Sequence, residues 1–243
     1  MKTMKNYCFV LLLAITTFLF SCDDNDGYSI GDIAADWVTV KSEGNGVYSF
    51  VGDSWGSMWP ATSHIWNYNP ADGDRAVLYF NPLYDNYGGY DLAISPEVIY
   101  PVLTKGVEQL TVDNEEEYAD HPAYVTDVWI SGGYMNMTFY QKLPQSKKHR
   151  VSLVENSIVE REDDGYLYLE FRYNTYADTL SNAKVGGAVS YNLSSLQLDD
   201  KKGIKLRINS AVNGERFLTF DKSVGGTPVE GKKMDLSQSV KIE

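Results

Sequence analysis

The second half of the chain alternates strictly. Met135, Met137 and Phe139 share one parity against Tyr134, Asn136, Thr138 and Tyr140. Leu167, Leu169, Phe171 and Tyr173 oppose Tyr168, Glu170, Arg172 and Asn174, and Ile204, Leu206 and Ile208 oppose Lys205 and Arg207. Successive side chains of a strand point to opposite faces, so this period of two predicts antiparallel sheets with one face on a core and one in water. Val125–Ile130, Val151–Val154, Val185–Leu193 and Phe217–Phe220 add four more candidate strands. About seven strands across residues 123–243 predict a C-terminal β-sandwich.

Residues 28–112 are patterned differently, in short apolar or alternating runs cut by turn residues and without a helical period. Trp37–Lys41, the turn at Glu43–Gly46 and Val47–Val51 read as a hairpin, followed by a Trp-rich loop to Pro70. Arg75–Asn81 carries apolar residues on both parities, which predicts a central strand. Tyr87-Gly88-Gly89-Tyr90 reverses the chain into Asp91–Ile94, and Val98–Leu103 completes about five strands. Five short, strongly turning strands suit a small barrel. Between the two patterned regions, residues 113–122 hold Asp113, Glu115, Glu116, Glu117 and Asp120 and end in His121-Pro122, which reads as an acidic linker.

The N-terminus is neither pattern. Lys2 and Lys5 precede an apolar run from Cys8 to Phe20, about 20 Å long as a helix and so short of the ~30 Å bilayer core. It reads as a secretory signal peptide over residues 1–21. Leu19-Phe20-Ser21-Cys22 resembles the bacterial lipobox, which implies that Cys22 becomes the first mature residue and carries lipid, with residues 22–27 as an acidic tether. The expected address is the outer membrane or cell surface. With Cys8 removed and Cys22 acylated, no disulfide is left to form, and stability must come from the core.

Removing Lys2 and Lys5 takes the net charge of −12 to about −14. Such a surface disfavours nucleic acid and anionic headgroups, so membrane attachment would come through lipid alone.

The lipoprotein-type signal, the Cys-Asp-Asp tether running into Tyr28-Ser29-Ile30-Gly31-Asp32, the Gly73-Asp74-Arg75-Ala76-Val77 strand entry and the Tyr-rich β segment after it resemble the NigD-like lipoproteins of Bacteroidetes. That resemblance implies an OB-type barrel at residues 28–112 and a β-sandwich at residues 123–243. It also implies a bacteriocin-associated accessory or self-protection role as one alternative, and it carries over no catalytic or ligand residue.

Candidate chemistry is sparse. Gly52-Asp53-Ser54-Trp55-Gly56 spells the nucleophile-elbow pattern, which offers a serine hydrolase using Ser54 as an alternative. The elbow needs a strand, a sharp turn and a helix, and no helical pattern follows. His64, His121 and His149 are isolated and lack zinc-ligand spacing, so neither a metal nor a cofactor is expected. Asp178-Thr179-Leu180 resembles a short bacterial O-glycosylation acceptor with Thr179 as its site. Trp37, Trp55, Trp59 and Trp66 fall close together, either filling a core or offering ring faces to a glycan or protein partner. Trp55 and Trp59, in a Gly- and Ser-rich loop, are the expected exposed pair. The reading is an all-β, non-catalytic binding or accessory module of the envelope, its oligomeric state left open.

Overall fold

The computed structural model describes residues 27–222 apart from 30, 63, 64, 66, 67, 162 and 179. The expected signal peptide, Cys22, nearly all of the tether, His64, Trp66 and Thr179 therefore lie outside the described residues.

The first five strands are β1 (Ala34–Gly44), β2 (Val47–Gly52), β3 (Gly56–Pro60), β4 (Arg75–Tyr87) and β5 (Tyr90–Gly106). β1 pairs antiparallel with β2 and β4, β2 with β3, and β4 with β5, and a parallel β3–β5 pair closes the ring into a five-stranded barrel. Val38, Val40, Phe50, Met58, Ala76, Leu78, Phe80, Leu92 and Ile94 fill it. The barrel differs from the expected one in two strands. β3 runs through what reads as a Trp-rich loop, because a five-residue strand beginning at a glycine shows little alternation. Asp91–Ile94 and Val98–Leu103 belong to one 17-residue strand, which carries Pro96 at a register shift against β4.

The rest comprises β6 (Glu108–Leu110), a single helical turn α1 (Glu115–Tyr118), β7 (Tyr124–Ser131), β8 (Tyr134–Pro144), β9 (Arg150–Asn156), β10 (Tyr166–Asn174), β11 (Leu180–Asn192), β12 (Gly203–Ser210) and β13 (Gly214–Asp221). β5, β11, β8 and β7 form one layer of a sandwich, and β13, β12, β10, β9 and β6 the other. Met135, Met137, Phe139, Leu169, Phe171, Ile204, Leu206 and Ile208 meet between the layers, the parities read from the sequence. Besides β3–β5, the parallel pairs among the described residues are β5–β11, β6–β9 and β10–β12, where the alternation predicted antiparallel sheets. The barrel and sandwich thus share a sheet through β5, whose Leu103–Gly106 end pairs with Val189–Asn192.

The acidic stretch expected as a linker is docked instead. Tyr118 is buried, the Arg150 guanidinium lies 4.4 Å over its ring, and Arg150 also pairs with Glu108 at 2.5 Å and Glu117 at 3.3 Å. Arg207 holds Asp120 at 2.9 Å, and Asn174 donates to the Glu117 carbonyl. Arginines on the outer face of the five-stranded sheet supply the partners that make this segment structural.

Candidate functional site

The two halves meet over the outer face of β1 and β4. Val38 and Val40 point into the barrel, which turns Trp37, Thr39 and Lys41 outward. Trp37 meets Trp129 of β7 edge to face, with centroids 4.9 Å apart, in a seam completed by Val77, Val102 and Ala188. β4 is apolar on both parities because Ala76, Leu78 and Phe80 face the barrel core while Val77 and Tyr79 face this seam.

Beside the seam lies a buried polar network. Arg75 is fully buried and donates to both Asp53 oxygens, at 2.9 and 2.5 Å, and to Thr39 Oγ1 at 3.0 Å. Ser131 of the sandwich donates to Asp53 Oδ2 at 2.5 Å and accepts from Asn136, which in turn accepts from Ser190. Tyr134 lies 5.0 Å beneath the guanidinium and donates to the Gly73 carbonyl. A buried guanidinium is costly unless its charge is matched, and here Asp53 and Thr39 of the barrel are joined by Asn136 of the sandwich at 3.5 Å, while Arg75 Nε has no hydrogen-bond partner among the described residues. Gly132, in the β7–β8 turn at φ +58°, presses against the pair so closely that a Cβ would sit 2.8 Å from Asp53 Oδ1.

Above this network opens a cleft of about 520 Å³. Its barrel wall is the outer face of Lys41, Val51 and Asp53, and its sandwich wall is Ile130, the Gly132-Gly133 turn, Tyr134, Asn192 at the end of β11, and Leu193, Ser194 and Leu198 beyond it. A concave, largely apolar site with few polar groups, set between two domains, is the usual form of a ligand site.

Two sequence profiles match the chain: a NigD-like N-terminal OB domain over residues 37–100 and a NigD-like C-terminal β-sandwich domain over residues 106–222. The chain belongs to the NigD-like family. Among solved structures it is similar to a protein of unknown function from Bacteroides vulgatus, with a TM-score of 0.75 and 23% identity over 87% of this chain and 100% of that one. It is also similar to a NigD-like immunity protein from Bacteroides caccae, with a TM-score of 0.57 and 14% identity over 78% of this chain and 97% of that one. A protein named as a lipoprotein from Bacteroides fragilis gives 0.57 and 13% over 79% and 99%. These likenesses are of fold. No curated protein matches the chain.

In this NigD-like chain the residues singled out from sequence are scattered. Trp55 and Trp59 are not an exposed pair: both are half-buried, and they engage different neighbours. Trp55, in the β2–β3 turn, packs on the barrel core with its ring edge-on to Phe80 at 5.5 Å and near Tyr28. Trp59 projects from β3 against Tyr90 at 5.2 Å. The alternation of a strand sends Met58 inward and Trp59 outward, and residues read as loop gave no such direction.

Ser54 also sits in the β2–β3 turn, with no following helix. Asp36 is buried and accepts from the Ser54 and Trp55 amides at 2.9 and 3.1 Å. Burial pushes its carboxyl pKa up, and those amides partly offset the shift. Gly52 leaves room for that carboxylate, since a Cβ would stand 2.3 Å from Asp36 Oδ2, so this glycine of the Gly-x-Ser-x-Gly string serves a tight hairpin. His121 accepts from Thr175, and His149 is buried beside Tyr173 and Gln141. Asp178 of the glycosylation-like motif accepts from the Gln145 and Ser146 amides and the Ser146 hydroxyl, which lowers its pKa and ties down the β8–β9 loop.

The sequence reading passed over Asp53 and Arg75. Their signal was there: an Arg opening a strand that is apolar on both parities must be buried, and must find an acid.

Proposed function

We propose that this NigD-like protein is a lipid-anchored envelope protein that works by binding, with the cleft between barrel and sandwich as its site. The observation that carries this reading is the cleft itself, an apolar concavity beside a buried ion pair of the barrel that the sandwich braces through Ser131 and Asn136. A wall braced in this way is preorganised, so little ordering cost falls on the ligand's arrival. The lipobox-like Leu19–Cys22 and the Bacteroides fragilis lipoprotein of similar fold support the anchor. Stable anchoring needs two or more acyl chains, which a lipidated Cys22 would provide. The hydrolase alternative now rests on the Ser54 string alone.

A second reading, a self-protection or accessory role beside a secreted toxin, is favoured by the likeness to the Bacteroides caccae immunity protein. It uses the same cleft and differs in who occupies it.

The test places a photo-crosslinking amino acid at Val51, on the cleft wall, and as a control at Val212, in the β12–β13 turn. One partner captured at Val51 in intact envelope and not at Val212 is expected, and equal capture at both removes the cleft from the reading. Cys22→Ala should abolish incorporation of a palmitate analogue; unchanged labelling would overturn the anchor. Absence of Ser54-dependent fluorophosphonate labelling is the accompanying expectation for a binding module.

A further inference from the structure

The cleft carries a charge that its surroundings leave unanswered. Along the outer face of β1, Trp37 enters the seam and Thr39 accepts from Arg75, while Lys41 stands exposed on the cleft wall. Ion pairs hold Arg75 to Asp53, Arg150 to Glu108 and Glu117, Lys205 to Asp164, and Arg207 to Asp120 and Glu215, whereas the exposed Lys147, Lys148 and Arg216 are, like Lys41, outside any ion pair among the described residues, and of these four only Lys41 lines the cleft. Among the described residues Lys41 has no carboxylate within ion-pair distance, in a chain of net charge −12. The acid lining the cleft, Asp53, is occupied on both oxygens by Arg75 and Ser131. An unmatched ammonium therefore faces an apolar wall of Val51, Ile130 and Leu193, with Asn192 and Ser194 interleaved.

We propose that the cleft takes the C-terminal end of a peptide, its apolar last residue between Val51 and Ile130 and its α-carboxylate on Lys41. This rests on the cleft being the binding site, as argued above. Charge complementarity selects the carboxylate, because a general anion attractor would be improbable on so acidic a surface while one local cation beside a grease-lined slot selects a molecule bearing both features. The alternation of apolar walls with Asn and Ser suits a peptide, whose side chains and amides also alternate, better than an uninterrupted hydrocarbon. At about 520 Å³ the cleft falls within the ~300–1,000 Å³ of ordinary small-ligand sites, enough for a short terminal segment rather than a folded domain.

The probe is a fluorescent tetrapeptide, Ala-Ala-Leu-Phe, with a free C-terminus, measured by anisotropy against the full chain in detergent, beside its C-terminal amide and dodecanoate. The free acid should bind. Amidation or Lys41→Met should each weaken binding about tenfold, and the two together no more than either alone, because both remove the same charge-assisted contact. Lys41→Glu should weaken it further, with the melting temperature of each variant unchanged. Equal binding of acid and amide, wild-type affinity in Lys41→Met, or dodecanoate outcompeting the peptide each overturns the proposal. No binding at about 1 mM peptide also overturns it. If the Val51 crosslink still forms in that case, the cleft remains a site with another ligand; if it does not, the cleft reading falls with it.

Discussion

Removing Asp53 should cost far more than removing an ordinary surface acid. Its side chain is 2% exposed and that of Arg75 is 0% exposed, so Asp53→Ala leaves a buried guanidinium with neutral acceptors, Thr39 Oγ1 at 3.0 Å and Asn136 Oδ1 at 3.5 Å, and frees Ser131 as well. Breaking one side of a buried pair costs about 3–5 kcal/mol, a large part of the ~5–15 kcal/mol that separates most native proteins from unfolding. Replacing the pair by apolar residues, Asp53→Leu with Arg75→Met, removes both charges and should recover most of that loss. Because the pair lies between two separate cores, the single variant should also uncouple the halves. Urea unfolding read by tryptophan emission, which senses the Trp37–Trp129 contact, and by far-UV circular dichroism checks both points. With m near 2–3 kcal/mol/M, the midpoint of the single variant should drop by about 1–2 M and the two probes should part. A loss under about 1 kcal/mol, or a double variant no better than the single one, would refute the argument.

Gly132→Ala should cost about 2 kcal/mol or more, from its φ of +58° and the 2.8 Å approach to Asp53 together. Gly133→Ala, at φ +84° with nothing within 4 Å, should cost less, and equal losses on thermal melting would discard the contact. Burial lowers the His149 pKa below 6.5, although Asp178 opposes the shift, so the folded state resists protonation there. Its contribution to stability should be complete above pH 6.5 and fall away as pH drops through the depressed value, so the wild type should lose melting temperature relative to His149→Gln over that window. A pH-independent difference between the two would show that burial does not govern this group. Trp55→Ala should cost about 3 kcal/mol through its packing on Phe80 and Trp59→Ala about half that, and the reverse order in denaturant titration would show that the ring contacts mislead.

The sequence was most informative where a single physical rule governs the residue pattern. Period two gave the sandwich parities, and the two apolar parities of Arg75–Asn81 placed β4 between neighbours with both faces covered. It was silent where partners are remote in sequence. Nothing near Leu103 announces a parallel pairing with Val189, and nothing near Glu117 announces Arg150. Acidity misled at residues 113–122, since a run of carboxylates reads as solvated unless the arginines of a distant sheet face are known to await it. The cleft was legible only in fragments. Lys41, Val51, Ile130 and Leu193 are unremarkable strand residues until the fold sets them around one space.

The strand that belongs to both halves also constrains the order in which the molecule can be made. All five barrel strands lie before Gly106, so the barrel can close as soon as that residue is available, but the Leu103–Gly106 end of β5 must wait for Val189–Asn192. Until then it is an open ladder edge on an otherwise finished domain, and pairing across so long a separation is intrinsically slow. Folding can therefore run as a succession, barrel first, with its riskiest surface displayed in the interval. A chaperone that recognises unpaired strands has its natural target at that waiting edge.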